Sequence, residues 1–131
     1  MKHIIKSKLI FLPMEIKTRE FYPKLFFAKK ALDRGYCCFI GDKAGIFRAT
    51  KYFNNGTYFY KSINSTDTKH IIKIKNKNNL FVSLDEEGGF ALSSSEEFKN
   101  FLSHRSSSKN LQLVDKIFTY GNFDNKIWKK K

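Results

Sequence analysis

Short apolar runs recur along this chain, separated by polar stretches. The first covers residues 9–12, and residues 36–40 and 57–60 follow it. Residues 80–84 are the clearest of these runs, and residues 114–119 are the last. A short, continuous apolar run is typical of a strand that is covered on both faces. The pattern therefore predicts five β-strands, of which residues 9–12 and 80–84 are expected to be buried, and residues 57–60 are assigned on their content of β-forming residues.

Helical spacing of apolar residues follows the first run. The helix is expected to begin near Tyr22, because Pro23 fits the first position of a helix and no later one. Gly35 is expected to end it as a C-terminal glycine. The residues expected on its apolar face are Leu25, Ala28, Lys29 and Leu32 at helical spacing, with Phe21, Phe26 and Phe27 thickening that face.

Weaker helical patterns lie between the later strands. Residues 46–53 and 70–77 predict short helices, a capping box of Ser94 and Glu97 starts another, and residues 122–131 begin the last. Strands that alternate with helices favour a parallel sheet. We predict a single α/β domain of all 131 residues. It is a Rossmann-like, doubly wound fold with a mainly parallel five-stranded sheet in the order 3-2-1-4-5 and helices on both faces.

Two acidic turns follow strands of this predicted sheet, one over residues 15–20 and the other over residues 85–89. In the predicted order the first and fourth strands are neighbours. Both turns would then face the crevice beyond the carboxyl ends of the strands, where α/β domains bind ligands. Carboxylates gathered there can act as a general base, and cations can steer an anionic ligand. The alternative, that these charges are solvated loop ends and helix-start carboxylates, stays open.

Composition adds a strong positive charge to this picture. The chain has 25 Lys and Arg against 12 Asp and Glu, a formal net charge of +13. Such a charge attracts nucleic acid, anionic lipid headgroups or phosphorylated ligands. The lysines are scattered rather than banded, so a general overuse of Lys is the alternative. The 14 Phe residues exceed what a minimal core needs, and several are expected on surfaces or interfaces.

Other classes of function find little support in the sequence. The three His and two Cys residues lack metal-ligand spacing, and no metal or cofactor is expected. Neither a phosphate-binding glycine loop nor a nucleophile elbow is present. The apolar runs are too short for a transmembrane helix, and the basic start lacks the features of a signal peptide. These observations indicate a cytoplasmic protein.

Three motifs in order give the chain a family resemblance. The first comprises residues 12–21 with the helix over 24–35, the second residues 83–88, and the third residues 114–121. On these motifs the chain resembles the amino-terminal region of the bacterial surface carbohydrate biosynthesis protein family, whose members are similar to glycosyltransferases of GT-B architecture. The resemblance covers nearly the whole chain.

The resemblance implies sugar transfer from a nucleotide-sugar donor to a glycan acceptor, in the assembly of a surface polysaccharide. In GT-B enzymes the amino-terminal domain usually contacts the acceptor and often supplies the base, and the carboxy-terminal domain usually holds the donor. Because the chain ends at Lys131, the resemblance implies a fragment or half-enzyme that needs a separate donor-binding domain for activity. Whether the chain is an enzyme by itself stays open.

Under this resemblance the base candidates are Glu86, then Glu20 and Glu15, and Lys17 and Arg19 would hold anionic groups of the donor or acceptor. The remaining substrate-binding candidates follow the fourth and fifth strands: Asp85, Glu87, Gly88 and Tyr120. The alternative from another class is a small basic protein that binds nucleic acid or an anionic membrane without catalysis. Peripheral association with the inner face of the cell membrane is compatible with the transferase hypothesis, whereas specific nucleic-acid binding is not expected under it.

Overall fold

A computed structural model describes residues 8–84, 94, 96, 97, 100, 101, 106–119 and 121–128. Its strands are β1 (Leu9–Met14), β2 (Cys37–Asp42), β3 (Thr57–Tyr60), β4 (Leu80–Leu84) and β5 (Lys116–Phe118). They form a five-stranded sheet in the order β2-β1-β3-β4-β5. β1 pairs in parallel with β2 and with β3, and β4 pairs in parallel with β5. The predicted α/β class with a parallel sheet is confirmed.

The order of the strands corrects the prediction. β3 lies between β1 and β4, whereas the predicted order 3-2-1-4-5 made β1 and β4 neighbours. The observed order is the other common order of doubly wound sheets. An apolar run identifies a buried strand but does not tell which strands pair with it. The expectation that the two acidic turns follow adjacent strands is therefore wrong.

The helices with defined bounds among the described residues are α1 (Lys17–Leu32), α2 (Lys43–Ala49), α3 (Thr68–Lys75), α4 (Ser108–Leu113) and α5 (Gly121–Trp128). Residues 96, 97, 100 and 101 are also helical. A 3-10 turn, Ser65–Asp67, directly precedes α3. At the predicted capping box, the Glu97 N–H donates to Ser94 Oγ over 3.1 Å. This is the contact that a serine N-cap makes with the third helical residue.

Helix α1 begins at Lys17, earlier than predicted, and Pro23 lies inside it. A proline inside a helix removes a backbone hydrogen bond and costs about 3 kcal/mol. Here the first turn is closed ahead of the proline, because the N–H groups of Arg19 and Glu20 donate to the Ile16 carbonyl over 3.2 and 2.9 Å. The carboxylate of Glu20 also binds the backbone just before the helix. These local contacts stabilise the helical turn ahead of the proline.

The chain divides into two compact units. The first unit consists of Met1–Phe59 and Ile74–Leu80, and the second of Tyr60–Lys73 and Phe81–Lys131. The first unit contains α1, α2 and the predicted site residues that follow β1.

In the first unit, helices flank both faces of β1 and β2. The buried apolar side chains shared by one face and α1 are Ile10, Leu12, Ala28 and Ala31. Neighbouring side chains in a strand point to opposite faces. On the other face Phe11 is fully buried and stacks on Phe39, with ring centroids 5.4 Å apart. Ile46 of α2 packs on that face, 3.4 Å from where a Cβ of Gly41 would lie. The prediction of helices on both faces holds in this unit.

The outward side of α1 corrects the prediction for that helix. The prediction places Leu25, Phe26 and Leu32 on the buried face. In the structure these residues are 45%, 64% and 58% exposed, respectively. The small side chains Ala28 and Ala31 face the sheet instead. Apolar residues occur almost all the way round this helix, so their periodicity does not tell which side is buried.

In the second unit, two hydrogen bonds between Phe81 and Asp115 hold the junction before β5. The Phe81 N–H donates to Asp115 Oδ2 over 2.7 Å, and the Phe81 carbonyl accepts the Asp115 N–H over 2.9 Å. Asn110 of α4 is fully buried, and its side-chain amide donates to the Ile63 carbonyl over 3.2 Å. These contacts fix α4 and β5 within the unit.

Candidate functional site

The candidate site lies in the first unit, where β1 and β2 end. The two strands pair in register, with Met14 opposite Asp42. The residues that follow, Glu15 and Lys43, therefore emerge side by side, and Lys43 Nζ lies 3.4 Å from Glu15 Oε1. The carboxyl ends of parallel strands are where α/β sheets bind ligands. Strand register thus brings a carboxylate and an ammonium group together at that edge.

The position of Lys43 depends on the start of α2. Asp42 Oδ1 accepts the Gly45 N–H over 2.9 Å and caps the helix. The prediction starts this helix at Ile46, whereas α2 begins at Lys43. An aspartate N-cap is a common helix start, and here it places Lys43 in the first helical turn, next to β1.

Glu20 is the buried member of the site, with a side chain that is 4% exposed. Its carboxylate accepts the backbone N–H of Glu15 over 3.1 Å and that of Ile16 over 3.2 Å. Backbone N–H groups at the start of a helix lack helical carbonyl partners and favour a negative charge. The Glu20 carboxylate supplies the acceptor oxygens and the negative charge, and so it closes the turn between β1 and α1.

Two cations neutralise Glu20. Lys24 Nζ lies 2.8 Å from Glu20 Oε2 and also donates to the Pro13 carbonyl. Arg19 Nη2 lies 3.2 Å from Glu20 Oε1, with about half of its side chain exposed. Lys24 is one helical turn from Glu20, a spacing that brings side chains of opposite charge together.

These contacts decide how Glu20 behaves in acid. Burial alone would raise the pKa of Glu20. The hydrogen bond from Lys24, those from the Glu15 and Ile16 N–H groups, and the charge of Lys24 outweigh burial and lower the pKa to about 2. A carboxylate with so low a pKa is a weak base at neutral pH. The geometry therefore favours Glu20 as a residue that positions the turn, and its predicted role as a base is untested.

The other members of the site reach solvent. The Glu15 side chain is 35% exposed and that of Lys43 is 40% exposed. Lys17 and Arg19 are exposed in the first turn of α1. An accessible carboxylate can accept a proton from a hydroxyl group, and lysine and arginine side chains bind phosphate or carboxylate groups. The cluster can therefore hold an anionic molecule that carries a hydroxyl group next to Glu15.

Several predicted site residues are not among those that the structure describes. They are the residues predicted after the fourth and fifth strands: Asp85, Glu86, Glu87, Gly88 and Tyr120. Their proposed roles stay predictions.

Two residues of the site, Lys24 and Lys43, are not predicted from the sequence. Lys24 could have been found from its spacing, since Glu20 and Lys24 lie four residues apart on one helix. Lys43 could not, because its contact with Glu15 depends on the register of β1 against β2. Local sequence does not specify that register.

Within the ranges given for the structure, no group of three or more His, Cys, Asp or Glu side chains is arranged to hold a metal ion. None of the helices described there combines the length and apolar character needed to cross a bilayer.

The fold and this edge of its sheet define an α/β protein with a doubly wound, parallel sheet. Comparison with protein-family models, with curated proteins and with solved structures finds no match to the chain. The resemblance to the surface carbohydrate biosynthesis family therefore rests on the sequence motifs alone.

Proposed function

We propose that this chain is the acceptor-side domain of a glycosyltransferase for bacterial surface polysaccharide. The observation that carries the proposal is the meeting of Glu15 and Lys43 where β1 and β2 end. This is the edge at which α/β sheets bind ligands, and Lys17 and Arg19 add positive charge to it. An anionic sugar acceptor suits such a cluster, and the motif resemblance supports the same function.

In the proposed reaction, an acceptor hydroxyl oxygen attacks the anomeric carbon of a nucleotide-activated sugar. The bond from that carbon to the nucleotide diphosphate breaks, and the diphosphate leaves. A carboxylate takes the hydroxyl proton. Glu15 is the base candidate among the described residues, Glu86 remains the other, and Glu20 holds the backbone of Glu15 in place. A donor-binding domain supplies the nucleotide sugar.

The test is transfer of a labelled sugar from a nucleotide-sugar donor to an acidic glycan acceptor. It is measured with the chain alone and after addition of the donor-binding half of a GT-B enzyme. Glu15→Gln is expected to lower the rate by about a hundredfold, the usual loss when a general base is removed. The matched control is Asp33→Asn, an exposed carboxylate at the end of α1, and it should leave the rate unchanged.

Full activity of Glu15→Gln would exclude Glu15 as the base and leave Glu86→Gln as the decisive variant. Full activity of both variants would reject Glu15 and Glu86 as the base. Salt-dependent binding to random RNA, with no response to nucleotide sugars or glycans, would favour the nucleic-acid alternative.

A further inference from the structure

Helix α1 carries a second apolar surface, on the side turned away from the sheet. We call it the outward stripe: Tyr22, Leu25, Phe26 and Leu32. Tyr22 is 75% exposed and Phe26 is 64% exposed. Tyr22, Leu25 and Phe26 are spaced so that they lie together on one side of a helix. A surface helix normally turns polar residues outward, so this stripe indicates a partner of some kind.

Positive charge surrounds the outward stripe. Four exposed cations lie within or beside it: Arg19, Lys29, Lys30 and Arg34. Lys30 Nζ lies over the Phe26 ring, 5.6 Å from its centroid. Of the two acidic residues in α1 and its C-cap, Glu20 is buried and Asp33 is exposed. The outward side of α1 therefore combines apolar side chains with cations. Lys29 lies among the residues of the outward stripe, one helical turn from Leu25 and Phe26. Arg19, Lys30 and Arg34 lie beside the stripe.

A cavity of about 370 Å³ lies along the side of α1. Its walls include the apolar side chains Ile10, Phe27, Ala31 and Phe59. Lys30 and Arg34, which flank the outward stripe, also line this cavity. The same two cations thus lie between two apolar surfaces, and this arrangement suits a partner with both anionic groups and hydrocarbon.

We propose that the outward stripe of α1 docks this protein on an anionic phospholipid surface. Aromatic and leucine side chains with lysine and arginine beside them are the composition of helices that lie in the bilayer interface. Tyr22 and Phe26 would enter the interface, and Lys29, Lys30 and Arg34 would contact lipid phosphates.

Other partners fit these observations less well. Two copies of the chain would bring two basic surfaces together, and like charges oppose such a contact. A nucleic acid would pair with the cations and stack on Tyr22 and Phe26, but it has no use for Leu25 and Leu32. A lipid surface uses the charge, the aromatic rings and the leucines together.

The experiment is co-sedimentation of the chain with vesicles of mixed phosphatidylglycerol and phosphatidylcholine, and with vesicles of phosphatidylcholine alone. Binding is expected for the anionic vesicles, with weakening by salt. Tyr22→Gln with Phe26→Gln should lower the partition coefficient about tenfold or more, because two apolar rings are lost from the interface. Lys29→Gln with Lys30→Gln should lower it about 25-fold, on the usual contribution of each cation.

The matched control is Lys51→Gln with Tyr52→Gln. These neighbours are an exposed lysine and a tyrosine that is 82% exposed, and they lie after α2 rather than on α1. The control should partition like the wild type. Circular dichroism melting checks that every variant is folded.

Equal loss in the control, or no loss in either α1 variant, would overturn the proposal. So would tighter binding to single-stranded RNA through the same residues, or self-association that the Tyr22 and Phe26 changes abolish. The inference does not depend on sugar transfer, because vesicle binding needs neither donor nor acceptor.

Discussion

Replacing Glu20 by Gln removes the charge that closes the turn between β1 and α1 and keeps the size of the side chain. The pKa of Glu20 falls from an ordinary 4.5 to about 2 on folding. Each pKa unit corresponds to about 1.4 kcal/mol. The charge therefore contributes about 3 kcal/mol to the free energy of unfolding at neutral pH, and Glu20→Gln should lose most of it.

The pKa of Glu20 also predicts how its contribution to stability changes with pH. The unfolded chain binds a proton at Glu20 near pH 4.5, whereas the folded chain binds it only near pH 2. The contribution of this carboxylate is therefore complete above pH 4.5 and disappears as the pH falls towards 2. The difference between the wild type and Glu20→Gln should close over the same interval.

The assay is urea unfolding followed by circular dichroism at a series of pH values. Carboxyl-carbon chemical shifts would report the pKa of Glu20 directly. Glu15→Gln is the control, since its exposed carboxylate and 3.4 Å contact with Lys43 should contribute less than about 0.5 kcal/mol. A loss below about 1 kcal/mol for Glu20→Gln at neutral pH, or a loss that persists unchanged to pH 2, would refute the reasoning.

Two further predictions concern the packing of the first unit, and the same unfolding assay measures both. Asn79 is 2% exposed and its Oδ1 accepts the Gly56 N–H over 2.8 Å, so Asn79→Ala should cost about 2 kcal/mol. Asn76→Ala, at an exposed position, is the control. An equal loss of unfolding free energy in both variants would show that the buried hydrogen bond of Asn79 does not stabilise the fold. Gly56→Ala would put a Cβ 2.5 Å from the fully buried ring of Phe11, so it should cost about 1–3 kcal/mol. Gly41→Ala is the control, because its Cβ would meet its nearest neighbour only at 3.4 Å, and it should cost less than about 1 kcal/mol. A larger loss for Gly41→Ala than for Gly56→Ala would contradict the packing described.

The sequence predicts the parts of this fold that depend on local pattern. β3 and β4 have the predicted bounds, because their apolar runs end at polar residues. The strand order could not be predicted, since every buried strand offers the same backbone hydrogen bonds to any neighbour. The start of α1 differs from the prediction because Pro23 favours a helix start at its own position, whereas the contacts of Glu20 favour an earlier one.

The sequence predicts where the charged residues after β1 lie, but it predicts only some of their roles. The charges after β1 are visible in the sequence, and the structure keeps Glu15, Lys17 and Arg19 accessible to solvent. The different role favoured for Glu20 follows from its burial and from the N–H groups it accepts, which sequence spacing does not reveal. The partner of Glu15 depends on strand register, which is a tertiary property.

Glu20 and Lys24 bind the turn between β1 and α1 through hydrogen bonds that are short in sequence, and the one from Lys24 to the Pro13 carbonyl spans 11 positions. Closing so short a loop costs little chain entropy. The junction of β1 with α1 can therefore form while β2 and β3 are still unfolded, and it would fix the direction in which α1 leaves the strand. We therefore expect the buried carboxylate to affect the folding rate as well as the stability, because its contacts can form in a nascent chain before the sheet.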